Sequence, residues 1–431
     1  MRVALWFLGL FGVAVSLALF VSNNEGTITV FWPPYRVDLS LNMVLVLLGL
    51  LFLLIHLALR ALAALFALPG QARSWRARHQ EQAMFASLLE ALSHFVAGRF
   101  LRARKAALDV LARDAAMAGG GDGAAAAVRL RVMSSLLAAE SSQALQDKSA
   151  RDAHLQQALA QSASLGAGGA VGVREGLLLR AVRWALEDRD AVAAQEWFGQ
   201  LPSGVARRTV ALRLRLKLAR LARQSGLALD TARLLVKHRA FSEASGRGLV
   251  RALALENIMD ARDAEQLQRV WLKLEATEQA MPEVACLAAE RCLLLAGGQA
   301  TALGWLLPVW ERMVSAPEGL SQSQKIDLVR VLEAVFASTV DSAWLARIEQ
   351  AQMAQPGDAV LQYLAGVACL HLELWGKAQQ LIKQALPRLH DHRLAARACM
   401  MLADLAQRQG DTDQAAAAWK QAAQLALRQD D

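Results

Sequence analysis

The stretch LAGVACLHLELWGKAQQLIKQAL, residues 364–386, decides the fold. It has small residues at Gly366, Ala378 and Ala385, and the bulky Ile382 lies between the last two. Small side chains at these places allow two helices to approach closely, and the large one fills the groove beside them. The stretch therefore predicts two closely packed antiparallel helices.

A second copy of the pattern follows in LADLAQRQGDTDQAAAAWKQAAQLAL, residues 402–427. Gly410 supplies the turn between its two helices, where a left-handed backbone conformation ends the first one. Two such copies in tandem are typical of the tetratricopeptide repeat (TPR). The corresponding residues are Ala403, Ala415, Trp419 and Ala422.

Weaker copies of the pattern lie upstream, and between residues 205 and 350 the period is degenerate, although paired helices remain the prediction. We therefore predict an all-α protein with a TPR-like α-solenoid of antiparallel helix pairs over residues 83–431. The concave face of such a solenoid usually receives a protein partner. The upstream matches are Ala91, Gly98, Phe100 and Ala103, and then Ala194 and Phe198.

The cysteines fit this interpretation. All four lie in apolar helical stretches and form no CxxC pair, which favours buried, reduced thiols over a disulfide framework or a zinc site. They are Cys286, Cys292, Cys369 and Cys399.

The N-terminal segment, residues 1–68, is predicted to be a transmembrane hairpin. Residues 3–22 and about 40–60 are each long and apolar enough to cross a bilayer. The first run is either an uncleaved anchor or a cleaved signal peptide, and its long apolar stretch favours the anchor. The loop 23–39 alternates in polarity around Pro33–Pro34 and predicts a short extended hairpin.

Basic residues follow the second span. Residues 69–82, just beyond the Pro69–Gly70 break, form a basic juxtamembrane linker, and anionic headgroups attract such a segment. The positive-inside rule places both termini and the TPR domain in the cytoplasm. His56 lies one turn before Arg60, where it can reach the headgroup layer. The sequence has no nucleic-acid-binding motif, so a nucleic-acid partner is not expected.

The sequence contains no catalytic constellation, and we predict no enzyme, no resident cofactor and no metal site. His390 and His392 flank Asp391 in a turn, which favours a solvated loop over a metal site. The Gly-rich stretches 116–127 and 164–176 lack the spacing of nucleotide-binding loops.

Four segments resemble the proteobacterial HemY family: GTITVFW with YRVDLSL in residues 26–41, MVLVLLGLLFLLIHLALRAL in 43–62, the arginine segment that contains Trp75, and ALSHFVAGRFLRARKAAL in 91–108. The resemblance implies an inner-membrane protein of protoheme and tetrapyrrole synthesis that gathers pathway enzymes. An alternative is a heme or porphyrin carrier, with His94, Cys369 or His371 as an axial ligand. A further alternative is a TPR scaffold for another envelope-assembly process.

Overall fold

The computed structural model describes residues 11–16, 18, 26–116, 124–164, 167–337 and 341–427. Apart from one β-hairpin, its regular elements are helices, so the all-α prediction is confirmed. The chain divides into two compact units, Met1–Gly166 and Ala167–Asp431.

From residue 26 onward, the described part of the first unit contains the hairpin and four helices. Its elements are β1 (Thr27–Trp32), β2 (Tyr35–Ser40), α1 (Leu41–Val96), α2 (Phe100–Ala116), α3 (Ala124–Ala144) and α4 (Lys148–Ser162).

The hairpin confirms the predicted extended loop. Its antiparallel register runs from Thr27 opposite Ser40 to Trp32 opposite Tyr35. The Leu41 amide donates to the Gly26 carbonyl at 2.8 Å, so the second strand leads directly into α1. The Ser40 hydroxyl accepts from the backbone amide of the third helical residue at 3.3 Å and caps α1.

Helix α1 is 56 residues long, which corresponds to about 84 Å at 1.5 Å per residue. Within it, Leu41–Leu62 is long and apolar enough to cross a membrane, and none of its most apolar window is buried in the protein. This matches the predicted second span. It is the one such helix in the described residues. The predicted first span, residues 3–22, falls mostly outside them, although residues 11–16 and 18 are helical.

The predicted break at Pro69–Gly70 does not interrupt α1, which is helical through the whole of residues 69–82. A proline removes one backbone hydrogen bond and costs a helix interior about 3 kcal/mol. Ala, Leu, Gln and Arg dominate the flanking sequence, and these strong helix formers offset that local cost. The helix consequently joins the apolar segment and the first repeat helix in one element.

The second unit consists of helix pairs joined by short turns, with one-turn helices between some of them. Its elements are α5 (Ala167–Glu187), α6 (Ala191–Gly199), α7 (Ser203–Ala206), α8 (Thr209–Leu221), α9 (Ser225–Lys237), α10 (Glu243–Met259), α11 (Ala264–Lys273), α12 (Ala276–Gln279), α13 (Pro282–Leu294), α14 (Gln299–Ser315), α15 (Gln322–Phe336), α16 (Ser342–Ala354), α17 (Ala359–His371), α18 (Trp375–Ala385), α19 (His392–Arg408) and α20 (Thr412–Leu427).

Successive first helices of these pairs pack on one another, with α10 on α13, α13 on α15 and α15 on α17. The second helices also meet: the indole rings of Trp271 on α11 and Trp305 on α14 stack with centroids 4.8 Å apart. Farther along, Trp310 on α14 contacts Trp344 on α16 edge to face at 5.8 Å. The predicted helix pairs between residues 205 and 350 are therefore present, and one continuous apolar core joins them.

The residues that predicted the repeat occupy the close contacts. Ala378, Ile382 and Ala385 are fully buried, and a Cβ added to Gly366 would lie 2.5 Å from Cγ1 of Ile382. In the second copy the small residues are buried too, whereas Trp419 is 39% exposed on α20. In the weaker copy in the first unit, Ala91 and Ala103 are fully buried and Gly98 has a φ of 73°, as its turn requires.

Gly366→Ala is expected to destabilise the protein by about 1–3 kcal/mol, because the added methyl group would overlap a fully buried, β-branched side chain. Thermal unfolding of the detergent-solubilised chain, followed by circular dichroism, measures the effect as a lower melting temperature.

Gly376→Ala is the matched control. Gly376 lies in the partner helix α18, and a Cβ there would meet no heavy atom within 4 Å. Its melting temperature should equal that of the wild type or exceed it, since alanine favours the helix. Equal melting temperatures of the two variants would contradict the close packing at Gly366.

Candidate interaction surface

A set of polar side chains links the first helices of the second unit, and we call it the polar ladder. Its members come from α10, α13, α15, α17 and α19, and several are half exposed while others are buried. The members are Arg251, Glu283, Glu290, Gln324, Asp327, Arg330, Glu333, Tyr363 and Arg397.

Glu283 on α13 begins the ladder. One of its carboxylate oxygens accepts from Arg251 on α10 at 3.0 Å and from the Gln324 side chain on α15 at 2.9 Å. Burial opposes ionisation of this carboxyl, but hydrogen bonds from Gln324, from its own backbone amide and from Arg251 outweigh burial and lower its pKa. Glu283 is therefore a fixed negative charge that joins three helices.

Arg330 on α15 forms the next step. Its guanidinium lies 3.4 Å from a carboxylate oxygen of Glu290 on α13 and 3.5 Å from one of Asp327, a turn earlier on its own helix. A cavity of about 140 Å³ lies beside these groups, and Cys286 forms part of its wall. Burial, with the negative charges of Asp327 and Glu290, raises the pKa of the Cys286 thiol to about 12. The thiol is consequently protonated and is a poor nucleophile or metal ligand.

Glu333 is the most buried charge of the ladder, with 3% of its surface exposed. It accepts hydrogen bonds from the Tyr363 hydroxyl on α17 at 2.9 Å and from Nε of Arg397 on α19 at 2.7 Å. Burial and the neighbouring carboxylate raise the pKa of Tyr363, so its phenol remains a donor. The three side chains connect three consecutive first helices.

The candidate axial ligands have different surroundings. Cys369 is fully buried inside α17, and burial raises the pKa of its thiol, which removes it from any accessible site. His371 is solvent-exposed at the end of the same helix, and partial desolvation lowers its pKa although Glu333 opposes this. In the first unit, Nε2 of His94 lies 3.7 Å from a carboxylate oxygen of Glu90.

The other candidate motifs form a helix cap and a helix. His390 and His392 are exposed, and Asp391 between them caps α19 by accepting from the Leu394 amide at 2.8 Å. In the stretch 164–176, helix α5 begins at Ala167, so its glycines from Gly168 onward are helical. Among the described residues, no group of His, Cys, Asp and Glu side chains could hold a metal ion.

The sequence pattern alone does not identify the buried part of the ladder. Its one signal is a pair of polar residues, Gln362 and Tyr363, inside the otherwise apolar helix AVLQYLAGVACLH. Tyr363 donates to Glu333 on α15, and Glu333 also accepts from Arg397 on α19, whereas Gln362 donates to Gln384 on α18. These side chains become neighbours only in the folded repeat array.

A protein-family model matches part of the first unit. Residues 26–146 match the family described as HemY protein N-terminus. The match confirms the resemblance to the HemY family, and it spans the hairpin, α1 and the first repeat helices. No curated protein sequence matches the chain.

The solved structures similar to the chain have low sequence identity with it. The Cut9–Hcn1 hetero-tetramer of the APC/C is 12% identical with a TM-score of 0.27, and the matched region covers 79% of this chain and 66% of that one. The apo form of RapI is 12% identical with a TM-score of 0.28 and coverages of 80% and 98%. Naa15/Naa10 bound to HypK-THB is 14% identical with a TM-score of 0.26 and coverages of 78% and 57%.

Tyr363→Phe is expected to lower the free energy of unfolding by about 1.5–3 kcal/mol at neutral pH, because it removes a donor from a buried carboxylate. The raised pKa of Tyr363 in the folded protein adds a pH dependence. The stabilisation is complete below about pH 10, the usual pKa of an unfolded tyrosine, and declines as the pH rises above it.

Denaturant unfolding between pH 7 and 11 measures both effects. Tyr35→Phe is the control, since the chain has two tyrosines and Tyr35 is 71% exposed. A Tyr363→Phe variant as stable as Tyr35→Phe would show that the phenol does not support Glu333.

Proposed function

We propose that the chain is a membrane-anchored helical-repeat scaffold that gathers enzymes of protoheme synthesis at the bacterial inner membrane. Its repeat domain and both termini would lie in the cytoplasm. In this proposal the chain binds and positions enzymes and performs no reaction itself. The match of residues 26–146 to the HemY N-terminal family supports the link with heme synthesis.

The single observation that carries the proposal is the continuity of α1. One 56-residue helix contains both the candidate membrane span and the helix on which the first repeats pack. Because the helix is continuous between the two parts, the first repeat helices would be held at a fixed distance from the bilayer. The exposed aromatic side chains Phe31, Trp32 and Tyr35 at the hairpin tip suit the opposite headgroup layer.

The polar ladder is the proposed docking face for the enzymes. Arg251, Arg330 and Arg397 are 41–50% exposed at the side chain and alternate with carboxylates across successive helices. Mixed charges at fixed spacing select a partner with the complementary sequence of charges rather than one net charge. A folded enzyme or one of its helices fits this requirement.

Arg330→Gln is expected to reduce capture of protoheme-pathway enzymes several-fold, because it removes the exposed positive charge between Glu290 and Asp327. Cross-linking in native membranes, followed by quantitative mass spectrometry of these enzymes, measures the capture. Its effect on the melting temperature should be small, since half-exposed ion pairs contribute about 0.2–1 kcal/mol.

Arg269→Gln provides the matched control. Arg269 is an exposed arginine on the second helix α11 and pairs with Glu265 within its own helix. Its capture should equal that of the wild type. Equal capture by both variants would argue against the ladder as the docking face. Normal porphyrin pools after depletion of the chain would instead favour a scaffold for another envelope-assembly process.

A second candidate function, direct binding of a heme or porphyrin, is favoured by a depression in the first unit. Its volume is about 460 Å³, within the range of small-molecule sites. Apolar side chains for a macrocycle and two exposed guanidinium groups for its carboxylates meet there. The backbone amide of Arg99 donates to the His94 carbonyl at 2.8 Å, so His94 lies at the start of the turn that forms part of the depression. The wall consists of Gly98, Arg99, Phe100, Leu101, Arg102 and Leu145.

Replacing both Arg99 and Arg102 by Gln is expected to weaken hemin binding by about tenfold if the depression is the site, which corresponds to about 1.4 kcal/mol. Absorbance titration of the chain in nanodiscs measures the affinity. The control variant replaces Lys105 and Arg113, two exposed cations of α2, by Gln. Identical titrations of the two variants, or no Soret shift with the wild type, would exclude this site.

A further inference from the structure

The C-terminal part of α1 carries two apolar stripes, one residue apart along the helix. The inner stripe packs on α2 and α3, where Met84 contacts Val110 and Leu130, and Ala91 contacts Ala107 and Leu137. The outer stripe faces solvent and is 44%, 66%, 48% and 80% exposed along its length. The inner stripe is Met84, Leu88, Ala91 and Phe95, and the outer stripe is Phe85, Leu89, Leu92 and Val96.

The spacing of the outer stripe is that of a coiled-coil seam. Its residues alternate by four, three and four positions, as the a and d positions of a heptad do. A helix that only covers its own domain needs one such stripe, and α1 already has it on the inner side. The terminal helix of a repeat array normally has a polar outer face, so this apolar one calls for a partner.

The residues on either side of the outer stripe allow an identical helix to pack on it. Ala86 and Ser93 are exposed on one side of it and are small and uncharged. Leu88 and Phe95 are partly buried on the other side. Two copies could therefore approach in parallel without placing like charges opposite each other, which is the usual obstacle to self-pairing.

Lipid is excluded as the occupant by distance. About 23 helical residues separate Leu62, the end of the candidate span, from Phe85, which corresponds to roughly 35 Å along the axis. That length exceeds the thickness of the headgroup layer by a wide margin. The stripe therefore lies in water unless another protein covers it.

We propose that the outer stripe is a self-association seam, on which α1 of a second copy packs in parallel. The proposal rests on the membrane anchoring proposed above, because the area of the seam is small. Four side chains per copy bury roughly 400 Å² on each copy, or about 800 Å² in total, which is below the total of about 1,200 Å² or more in stable interfaces between free proteins. Two anchored copies share a plane and an orientation, so a seam of this size suffices to hold them together.

Cysteine cross-linking of the full chain in native membranes tests the seam. The four native cysteines are buried, so a cysteine introduced on α1 is the accessible thiol among the described residues. Leu89→Cys is expected to give a cross-linked dimer with a short bismaleimide. Glu90→Cys, one residue farther and off the seam, is expected to give at least fivefold less. Adding Leu92→Lys to Leu89→Cys should abolish the dimer.

Three outcomes would overturn the seam: equal cross-linking from both positions, no dimer from Leu89→Cys, or transfer of the cross-link mainly to a different protein. Sedimentation of the same membranes separates this failure from failure of the anchoring. A chain that remains in the soluble fraction contradicts the proposed function, whereas a sedimenting chain without cross-links contradicts the seam alone.

Discussion

Close approach between neighbouring helices is the constraint on which the structure depends. At Gly366 the backbone of α17 comes so near to Ile382 on α18 that no side chain fits between them. Small buried residues recur at the equivalent places, among them Ala91 in the first unit and Ala403 in the last pair. Since each pair buries its apolar face only against its neighbours, one contact of this kind fixes the geometry of the next.

The polar ladder adds a second constraint. An alanine-rich interface is smooth, and helices packed on it could slide by a turn at small cost in buried area. Glu333 opposes such a shift, because a carboxylate that is 3% exposed must keep both Tyr363 and Arg397 within hydrogen-bond distance. Losing either donor would leave a buried charge poorly compensated, at a cost of about 1.5 kcal/mol or more. The ladder therefore fixes the register of helices that apolar packing holds less specifically.

The local parts of this architecture could be predicted from the sequence. The repeat residues from Gly366 to Ala385, the hairpin around Pro33 and the second apolar segment each depend on neighbours within a few turns of chain. The break expected at Pro69–Gly70 was wrong, because the helix-forming residues around it outweigh one lost hydrogen bond.

The candidate surface could not be predicted in the same way. Glu333 and Arg397 are 64 positions apart, and a degenerate period gives no register by which to align them. The same holds for Glu283 and Gln324, which are 41 positions apart. Helix α17 is apolar on all sides and shows no polar face. The role of its two buried polar residues therefore depends on the helices packed on either side.

The exposed arginines of the ladder suit reversible binding rather than a permanent complex. Each already has a carboxylate partner on a neighbouring helix, at distances of 2.6 to 3.4 Å. An incoming acidic group must compete with that internal partner, so it gains only the difference between two ion pairs, and a misplaced basic group meets repulsion. Affinity then depends on matching several positions at once, and a partner that fits can still dissociate. The proposed scaffold role requires this balance of selectivity and exchange.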